Sequence, residues 1–253
     1  MPRPPRLILP GVAVHITQRG NNRSDCLRRD GDYMLYLLHL QELADKLGCH
    51  MHAYCLMTNH VHLLLTPPSP ESCTVLMRNL GQRYVQHFNR AYGRSGTLWE
   101  GRYRSFLVES ARYALACYRY IEQNPLRANM VREPAAYPWS SHQANAGLRT
   151  DALVTPHAEY LALSEDRAKR EQAYRGLFQD ALEPSDLKRI REATHTGLPL
   201  GSEAFKARME IDLGRKLRHG RPGRPKSGSD PDFDSGTKSG SDPDLAGGLD
   251  SPI

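Results

Sequence analysis

The stretch that decides the fold is Met51-His52-Ala53-Tyr54-Cys55-Leu56-Met57-Thr58-Asn59-His60-Val61-His62-Leu63-Leu64-Leu65-Thr66. It contains two apolar, strand-like runs, residues 51–57 and 61–66, joined by the short link Thr58-Asn59. Two such runs with a short connection predict a β-hairpin. Prolines at positions 67, 68 and 70 end the second run.

The segments on either side of the hairpin complete a mixed pattern. The predicted elements are strands at 11–18 and 98–108, the second bent at Gly101, and helices at 32–47, 72–92 and 111–123. In the first helix, the residues that recur near the helical period are Met34, Leu35, Leu38, Leu43 and Leu47. The order strand, helix, strand, strand, helix, strand, helix predicts an α+β domain with an antiparallel sheet backed by helices.

The sequence divides into three regions. The predicted domain spans residues 1–145, and a helix-rich region follows at 146–219. A Gly/Pro turn inside that region is compatible with a helix-turn-helix that contacts DNA, and equally with a packing bundle. Residues 220–253 run from basic to acidic, repeat the sequence SGSDPD and have too few apolar residues for a core, so we expect disorder there.

The positive charge of the chain is concentrated in one segment. The net charge is +6, but residues 227–253 carry six Asp and one Lys. Between Arg78 and Arg132 there are ten Arg, three Glu and no Lys. Arginine binds phosphate oxygens bidentately, so this segment suits a polyanion, although a solvated basic surface would have the same composition.

Several classes of protein are excluded by composition. No apolar run approaches the length of about 18 residues that a membrane helix needs, and the N-terminus lacks the features of a signal peptide. We therefore expect a cytoplasmic protein without a membrane partner. The five cysteines show no CxxC spacing, which argues against a zinc knuckle or a disulfide framework.

His60 and His62 form a His-x-His pattern in the second hairpin strand. Residues two apart on a strand point to the same face, so the two imidazoles can converge on one cation. Val61, Leu63 and Leu65 then point to the other face, into a core. The pattern alone is weak, because two structural histidines would give the same sequence.

The helix at 111–123 carries a second candidate group. Tyr120 and Asn124 are four residues apart and hence neighbours on one face. Tyr113 lies two turns earlier on that face, whereas Glu122 is nearly opposite Tyr120 and is not expected to join the same site. Aromatic packing is the ordinary alternative for a helical tyrosine.

Taken together, these segments resemble the REP-associated tyrosine transposases of the single-tyrosine HUH endonuclease superfamily. The matching stretches are His15-Ile16-Thr17-Gln18-Arg19-Gly20-Asn21-Asn22-Arg23, residues 54–65, Gly101-Arg102-Tyr103-Arg104-Ser105, residues 119–128 and Trp139-Ser140-Ser141. They occur in the family's order between about residues 8 and 145.

The resemblance implies a ferredoxin-like HUH domain that breaks and rejoins single-stranded DNA. It implies that Tyr120 is the nucleophile and that His60, His62 and Asn124 bind Mg²⁺ or Mn²⁺. Attack by the tyrosine would give a 5′-phosphotyrosine and a free 3′-OH. The implied partner is DNA with a hairpin from repetitive extragenic palindromes, and the sequence carries no indication of the oligomeric state.

Further residues are candidates for DNA contacts. The candidates for the DNA backbone are Arg102, Arg104, Arg112, Arg119 and Arg127, and those for stacking on splayed bases are Tyr103, Trp99 and Phe106.

Two other functions are alternatives to the transposase. A DNA-binding regulator would not need His60, His62, Tyr120 and Asn124 together. A metal-dependent hydrolase of small phosphoesters would need acidic ligands near the two histidines.

Overall fold

The computed structural model describes residues 6–217 and has a four-stranded antiparallel sheet at its centre. The strands are β1 (Val14–Arg19), β2 (His50–Leu56), β3 (His60–Thr66) and β4 (Arg104–Leu107). Helices α1 (Asp30–Leu47) and α2 (Pro70–Ala91) connect them. The order across the sheet is β2-β3-β1-β4, which is the ferredoxin-like arrangement and confirms the α+β prediction.

Alternation along the strands sorts side chains onto the two faces of the sheet. Val61, Leu63 and Leu65 pack with the buried residues of α1 and α2, as the pattern predicts. Leu64 belongs to a second cluster on the opposite face, which helix α3 (Ser110–Glu122) covers. The histidines of β3 share the face of Leu64 and therefore lie beneath α3.

Six further α-helices follow α3 within residues 6–217. They are α4 (Asn124–Arg127), α5 (His142–Asn145), α6 (Ala158–Leu161), α7 (Arg167–Gly176), α8 (Pro184–Thr196) and α9 (Glu203–Leu213). Tyr160, Tyr174 and Ile190 are buried in the same cluster as α3. Side chains on both sides of residue 145 thus share one core. The boundary predicted there stays a prediction, as does DNA contact by the last two helices.

The buried face of α1 combines aliphatic and aromatic residues. Of the residues that recur near the helical period, Leu43 is buried, whereas Met34 and Leu38 are more than half exposed, at 58% and 52%. The helix also buries Tyr33, Tyr36 and Leu40, and the Tyr36 ring meets the Tyr84 ring of α2 edge-on at 5.1 Å. The aliphatic pattern therefore locates the helix but marks only part of its buried face.

The fourth strand is shorter than the sequence predicts. Pairing with β1 covers only residues 104–107. Gly101 has a φ of +72°, a left-handed conformation that breaks the extended chain. Before this turn the chain crosses the end of β1, where the Glu100 amide donates to the Arg19 carbonyl at 2.8 Å.

The predictions for residues 220–253 lie outside the described residues. Within residues 6–217, no helix has the length and apolar character needed to cross a membrane.

Candidate active site

His60 and His62 stand side by side at the start of β3. Their ring centroids lie 5.0 Å apart with the planes at 83°. Burial, together with the positive charges of Arg19 and Arg127, lowers the pKa of His60 to about 4. Burial also lowers the pKa of His62 well below its usual range. Both rings are therefore neutral near pH 7, and neutral imidazole is the form that binds a metal.

The hydrogen bonds of His60 leave one ring nitrogen free for a cation. Its Nδ1 lies 2.6 Å from the Asn59 side-chain oxygen. The Asn59 amide nitrogen donates to the Arg23 carbonyl at 3.3 Å, which fixes the orientation of this amide. Since an amide oxygen only accepts, His60 Nδ1 carries the proton and Nε2 keeps its lone pair.

His62 is held in a similar way from β1. Its Nδ1 lies 3.0 Å from His15 Nε2 and 3.2 Å from Thr17 Oγ1. When Nδ1 donates to either group, His62 Nε2 is free to bind a cation, as in metal sites where a hydrogen bond orients the ligating ring.

His15 is a site residue whose role sequence reasoning missed. It is 1% exposed, and its ring stacks on His62 with centroids 5.2 Å apart. Its Nδ1 is buried without a hydrogen-bond partner in the described part of the chain. Alternation in β1 places His15 on one face, but only the register of β1 against β3 brings it next to His62.

Tyr120 on α3 faces this group of histidines. Its ring lies edge-on to His62 at 5.7 Å and to His15 at 6.0 Å between centroids. Burial raises the pKa of Tyr120, and the positive charges of Arg127 and Arg191 oppose this shift. The structure therefore brings the predicted tyrosine to the predicted histidine pair.

Asn124 is four residues beyond Tyr120, at the start of α4. Its side-chain nitrogen donates to the carbonyls of Tyr120 at 3.0 Å and Ile121 at 3.2 Å. These bonds fix the amide so that Oδ1 has no hydrogen-bond partner among residues 6–217. An amide oxygen held in this way is free to act as a metal ligand.

These donors fit a divalent cation that is only partly enclosed by protein. Residues 6–217 contain no group of three or more His, Cys, Asp and Glu side chains that could hold a metal. The donors that the sequence predicts for this site are two imidazole nitrogens and one amide oxygen, all neutral. Such a set leaves coordination positions and positive charge for phosphate oxygens, which suits Mg²⁺ or Mn²⁺.

The arginines predicted to contact DNA fall into two groups. Arg102, Arg104 and Arg112 are exposed. Arg119 instead donates to the Asp180 carbonyl at 2.7 Å. Arg127 packs on Tyr120, with its guanidinium carbon 4.6 Å from the ring centroid, and donates to the Tyr120 carbonyl. The second group is engaged within the protein.

Tyr103 was predicted to stack on a DNA base, but its ring is buried in the structure. Its exposed fraction is 9%, and the Arg6 guanidinium lies 3.6 Å from the ring centroid. Trp99 and Phe106 are also buried, at 6% and 1%. All three rings pack in the cores on the two faces of the sheet, so none offers a free face to a base.

Glu122 points away from Tyr120 into a cluster of hydrogen bonds. Oε1 accepts from Ser141 at 2.6 Å and Asn145 at 2.8 Å. Oε2 accepts from Tyr174 at 2.6 Å and His142 at 3.0 Å. The carboxylate is fully buried, and these four donors, the Glu122 cluster, tie the tyrosine-bearing helix to α5 and α7.

The four-stranded sheet, with the histidine pair beneath the tyrosine-bearing helix, has the α+β arrangement that the sequence predicts. Residues 9–124 match the model of the family described as "Transposase IS200 like". This match supports the resemblance to tyrosine transposases that the motifs predict. The segment contains all four strands, α3 and Asn124.

Two solved structures are similar to the chain. One, a REP-associated tyrosine transposase bound to a REP hairpin, is 18% identical, with 62% of this chain and 93% of that chain covered and a TM-score of 0.48. A putative transposase from Deinococcus radiodurans R1 is 23% identical, with coverages of 49% and 97% and a TM-score of 0.35. No curated protein matches the chain.

Proposed function

We propose that this protein cleaves and rejoins single-stranded, hairpin-containing DNA through a covalent bond to Tyr120. The observation that carries the proposal is the placement of Tyr120 edge-on to His62 at 5.7 Å, inside a domain of a transposase family. A phenol next to the neutral imidazole of His62, which itself stands beside His60, has the parts needed for metal-assisted nucleophilic attack on a phosphodiester.

In the proposed step, the Tyr120 oxygen attacks the scissile phosphorus in line. A bond forms between the phenolic oxygen and phosphorus, and the bond between phosphorus and the 3′-oxygen breaks. The phenolic proton is lost to water, and the leaving 3′-oxygen takes up a proton to become a 3′-OH. The 3′-OH of another strand can reverse the step, so rejoining needs no nucleotide cofactor.

His60, His62 and Asn124 would hold the divalent cation. When bound, the cation supplies positive charge to the non-bridging phosphate oxygens. Asn59 and His15 orient the two rings through their Nδ1 atoms, at 2.6 Å and 3.0 Å. These contacts hold each ring by its Nδ1 atom, so each Nε2 is left for the cation.

The DNA partner is supported by exposed arginines of the same domain. Arg104 is the first residue of β4, Arg102 lies two residues before it, and Arg112 lies in the first turn of α3. Contacts to phosphates release counterions, so binding that uses these residues weakens steeply with added salt.

The proposal is tested with hairpin oligonucleotides from palindromes that flank the gene of this protein. Each oligonucleotide is incubated with the full chain and Mg²⁺ or Mn²⁺ and then run on a denaturing gel. We expect a covalent protein–DNA band that requires the metal. Tight binding without a band on several hairpins would instead favour a DNA-binding regulator.

Replacing either ligating histidine should remove cleavage while DNA binding persists. We expect His60→Ala and His62→Ala to form no adduct at any Mg²⁺ or Mn²⁺ concentration, because one imidazole and one amide cannot hold the cation. His50→Ala, at the exposed start of β2, is the matched control and should retain activity. Full activity of the two variants at ordinary metal levels would remove these histidines from the site.

His15→Ala should weaken metal binding without removing a proposed ligand. The His62 ring would lose the contact that fixes it from β1 and keep only Thr17. Loss of such an orienting hydrogen bond typically costs about 10–100-fold in metal affinity or activity. Mn²⁺ binding measured by electron paramagnetic resonance, together with the Mn²⁺ dependence of adduct formation, checks this. Unchanged affinity would show that His15 only fills space.

A further inference from the structure

Three arginines surround a pair of aromatic rings where α1 begins and α2 ends. The rings of Phe88 and Tyr92 lie 4.5 Å apart between centroids. The Arg28 guanidinium carbon lies 4.9 Å from the Tyr92 centroid and 5.4 Å from that of Phe88. Arg29 lies 5.6 Å from the Tyr92 centroid, and Arg94 lies 5.6 Å from that of Phe88. We call these five residues the arginine platform.

One buried carboxylate fixes the platform from below. The Tyr92 hydroxyl donates to Asp32 Oδ2 at 2.6 Å. The same oxygen accepts from the backbone amides of Arg28 at 3.0 Å and Arg29 at 3.1 Å. The amide of Arg94 donates to a carbonyl near the end of α2 at 2.8 Å. The backbone at each arginine is therefore held in place relative to the rings.

The guanidinium groups of the platform are available to an anion. Arg28, Arg29 and Arg94 are all exposed. Within residues 6–217 none of them forms an ion pair, even though the exposed carboxylates Asp25 and Asp30 are close in sequence. A guanidinium over a ring uses its flat face, which leaves the N–H groups at its edge for phosphate oxygens.

The platform lies at the same end of the sheet as the histidine pair. The amides of Cys26 and Leu27 both donate to the Thr58 carbonyl, at 2.8 Å and 2.9 Å. Thr58 is in the turn between β2 and β3, two residues before His60. Leu27 directly precedes the platform in sequence, so the chain that carries its first two arginines is bound to the turn that leads into the candidate active site.

We propose that the arginine platform binds phosphates in the double-stranded stem of the DNA hairpin. This inference rests on the proposed function, because that function supplies the DNA ligand. Proteins that bind single strands stack bases on open aromatic faces. Here Phe88 is fully buried, and two guanidiniums lie by the Tyr92 ring. The platform is therefore suited to contacts with the DNA backbone, which position a duplex without reading its sequence.

The first test compares the double variant Arg28→Ala/Arg94→Ala with the control Lys46→Ala/Lys169→Ala. Lys46 lies in the last turn of α1 and Lys169 in α7, both exposed, so the two double variants lose the same charge. The full chain is titrated by gel shift with a hairpin from palindromes that flank its gene. We expect the Kd to rise by about 10-fold or more in the arginine variant and by less than about 2-fold in the control. Equal affinities of the two variants would overturn the proposal.

The salt dependence of binding provides a second readout. Each lost phosphate contact lowers the slope of log K against log salt concentration by about 1, so the arginine variant should lose about 2. Arg28→Lys/Arg94→Lys keeps the charge but lacks the planar fork. Its slope should match that of the wild type while its affinity stays weaker. A wild-type slope in the alanine variant would contradict direct phosphate contacts.

Three DNA probes separate the stem from the single strand. They are the hairpin, a blunt duplex of its stem, and an unstructured strand of the same length. The alanine variant should bind the first two more weakly than the wild type does and the third equally well. An equal loss of affinity on the unstructured strand would overturn the assignment to the stem.

A methylphosphonate scan locates the contacts on the wild-type protein. Each stem phosphate is replaced in turn by a neutral methylphosphonate, and we expect a few neighbouring positions to weaken binding. At those positions the substitution should have little further effect in the alanine variant, because the partner is already absent. Identical profiles in the two proteins would contradict the proposal.

The two proposals fail in different ways. Exposed guanidiniums without ion pairs leave no buried group unpaired when removed, so the variants should keep the wild-type circular dichroism spectrum. If the wild type binds the stem through the platform but forms no covalent adduct on any hairpin, the proposed function fails and the platform stands. If it forms an adduct but the platform variants bind the hairpin like the wild type, only the platform assignment fails.

Discussion

Tyr120→Phe is expected to abolish the covalent protein–DNA adduct while leaving hairpin binding nearly intact. The variant removes one oxygen atom and keeps the ring that packs edge-on to His62 and His15. No other group in the described part of the chain has been placed where it could take over the attack. Loss of a catalytic nucleophile lowers rates by many orders of magnitude, and we expect at least about a 1000-fold loss here.

The measurement is a denaturing gel of hairpin DNA incubated with protein and metal, beside a gel shift under native conditions. The matched control is Tyr113→Phe, which removes a hydroxyl from the same helix two turns earlier. That hydroxyl accepts a hydrogen bond from the Arg189 guanidinium, and the control should retain adduct formation. An adduct that persists in Tyr120→Phe but disappears in Tyr113→Phe would move the nucleophile to Tyr113.

Glu122→Ala is expected to lower the free energy of unfolding by about 3–5 kcal/mol, because it removes the centre of a buried polar network. Ser141, Asn145, His142 and Tyr174 all donate to this one carboxylate. In the variant, their polar atoms lose a shared acceptor in a region without solvent. Tyr174→Phe removes one donor and should cost less, about 1–3 kcal/mol.

Urea unfolding followed by circular dichroism measures these changes. Glu165→Ala is the matched control, since Glu165 is exposed and surface substitutions of this kind usually change stability by less than about 0.5 kcal/mol. A change in Glu122→Ala as small as in the control would show that the four donors find other partners at little cost. In that case the Glu122 cluster would not explain how α3 is held.

Local patterns were sufficient to predict most of the fold. The alternation of Val61, Leu63 and Leu65 with His62 predicted both the strand and its two faces, and the structure has that arrangement. The aliphatic period located α1, but it did not mark the buried Tyr36, whose burial follows from packing against Tyr84 of α2. Such a contact joins distant segments and has no local signature.

The sequence predicted only those site residues that lie close to one another on a single strand or helix. The His60 and His62 pair and the Tyr120 and Asn124 pair each follow from spacing on one element. His15 reaches the site only through the register of β1 against β3. This contact does not follow from spacing, and the burial of Tyr103 likewise depends on Arg6, nearly a hundred residues away.

The Glu122 cluster also limits how this chain can be recombined with its relatives. A chimera that joins residues up to 124 from one protein to the remainder of another would inherit the carboxylate from one parent and its four donors from the other. Unless both parents carried compatible partners, the junction would leave an unmatched polar centre beneath the nucleophile. Exchange experiments should therefore take α3 and residues 140–193 from the same parent protein.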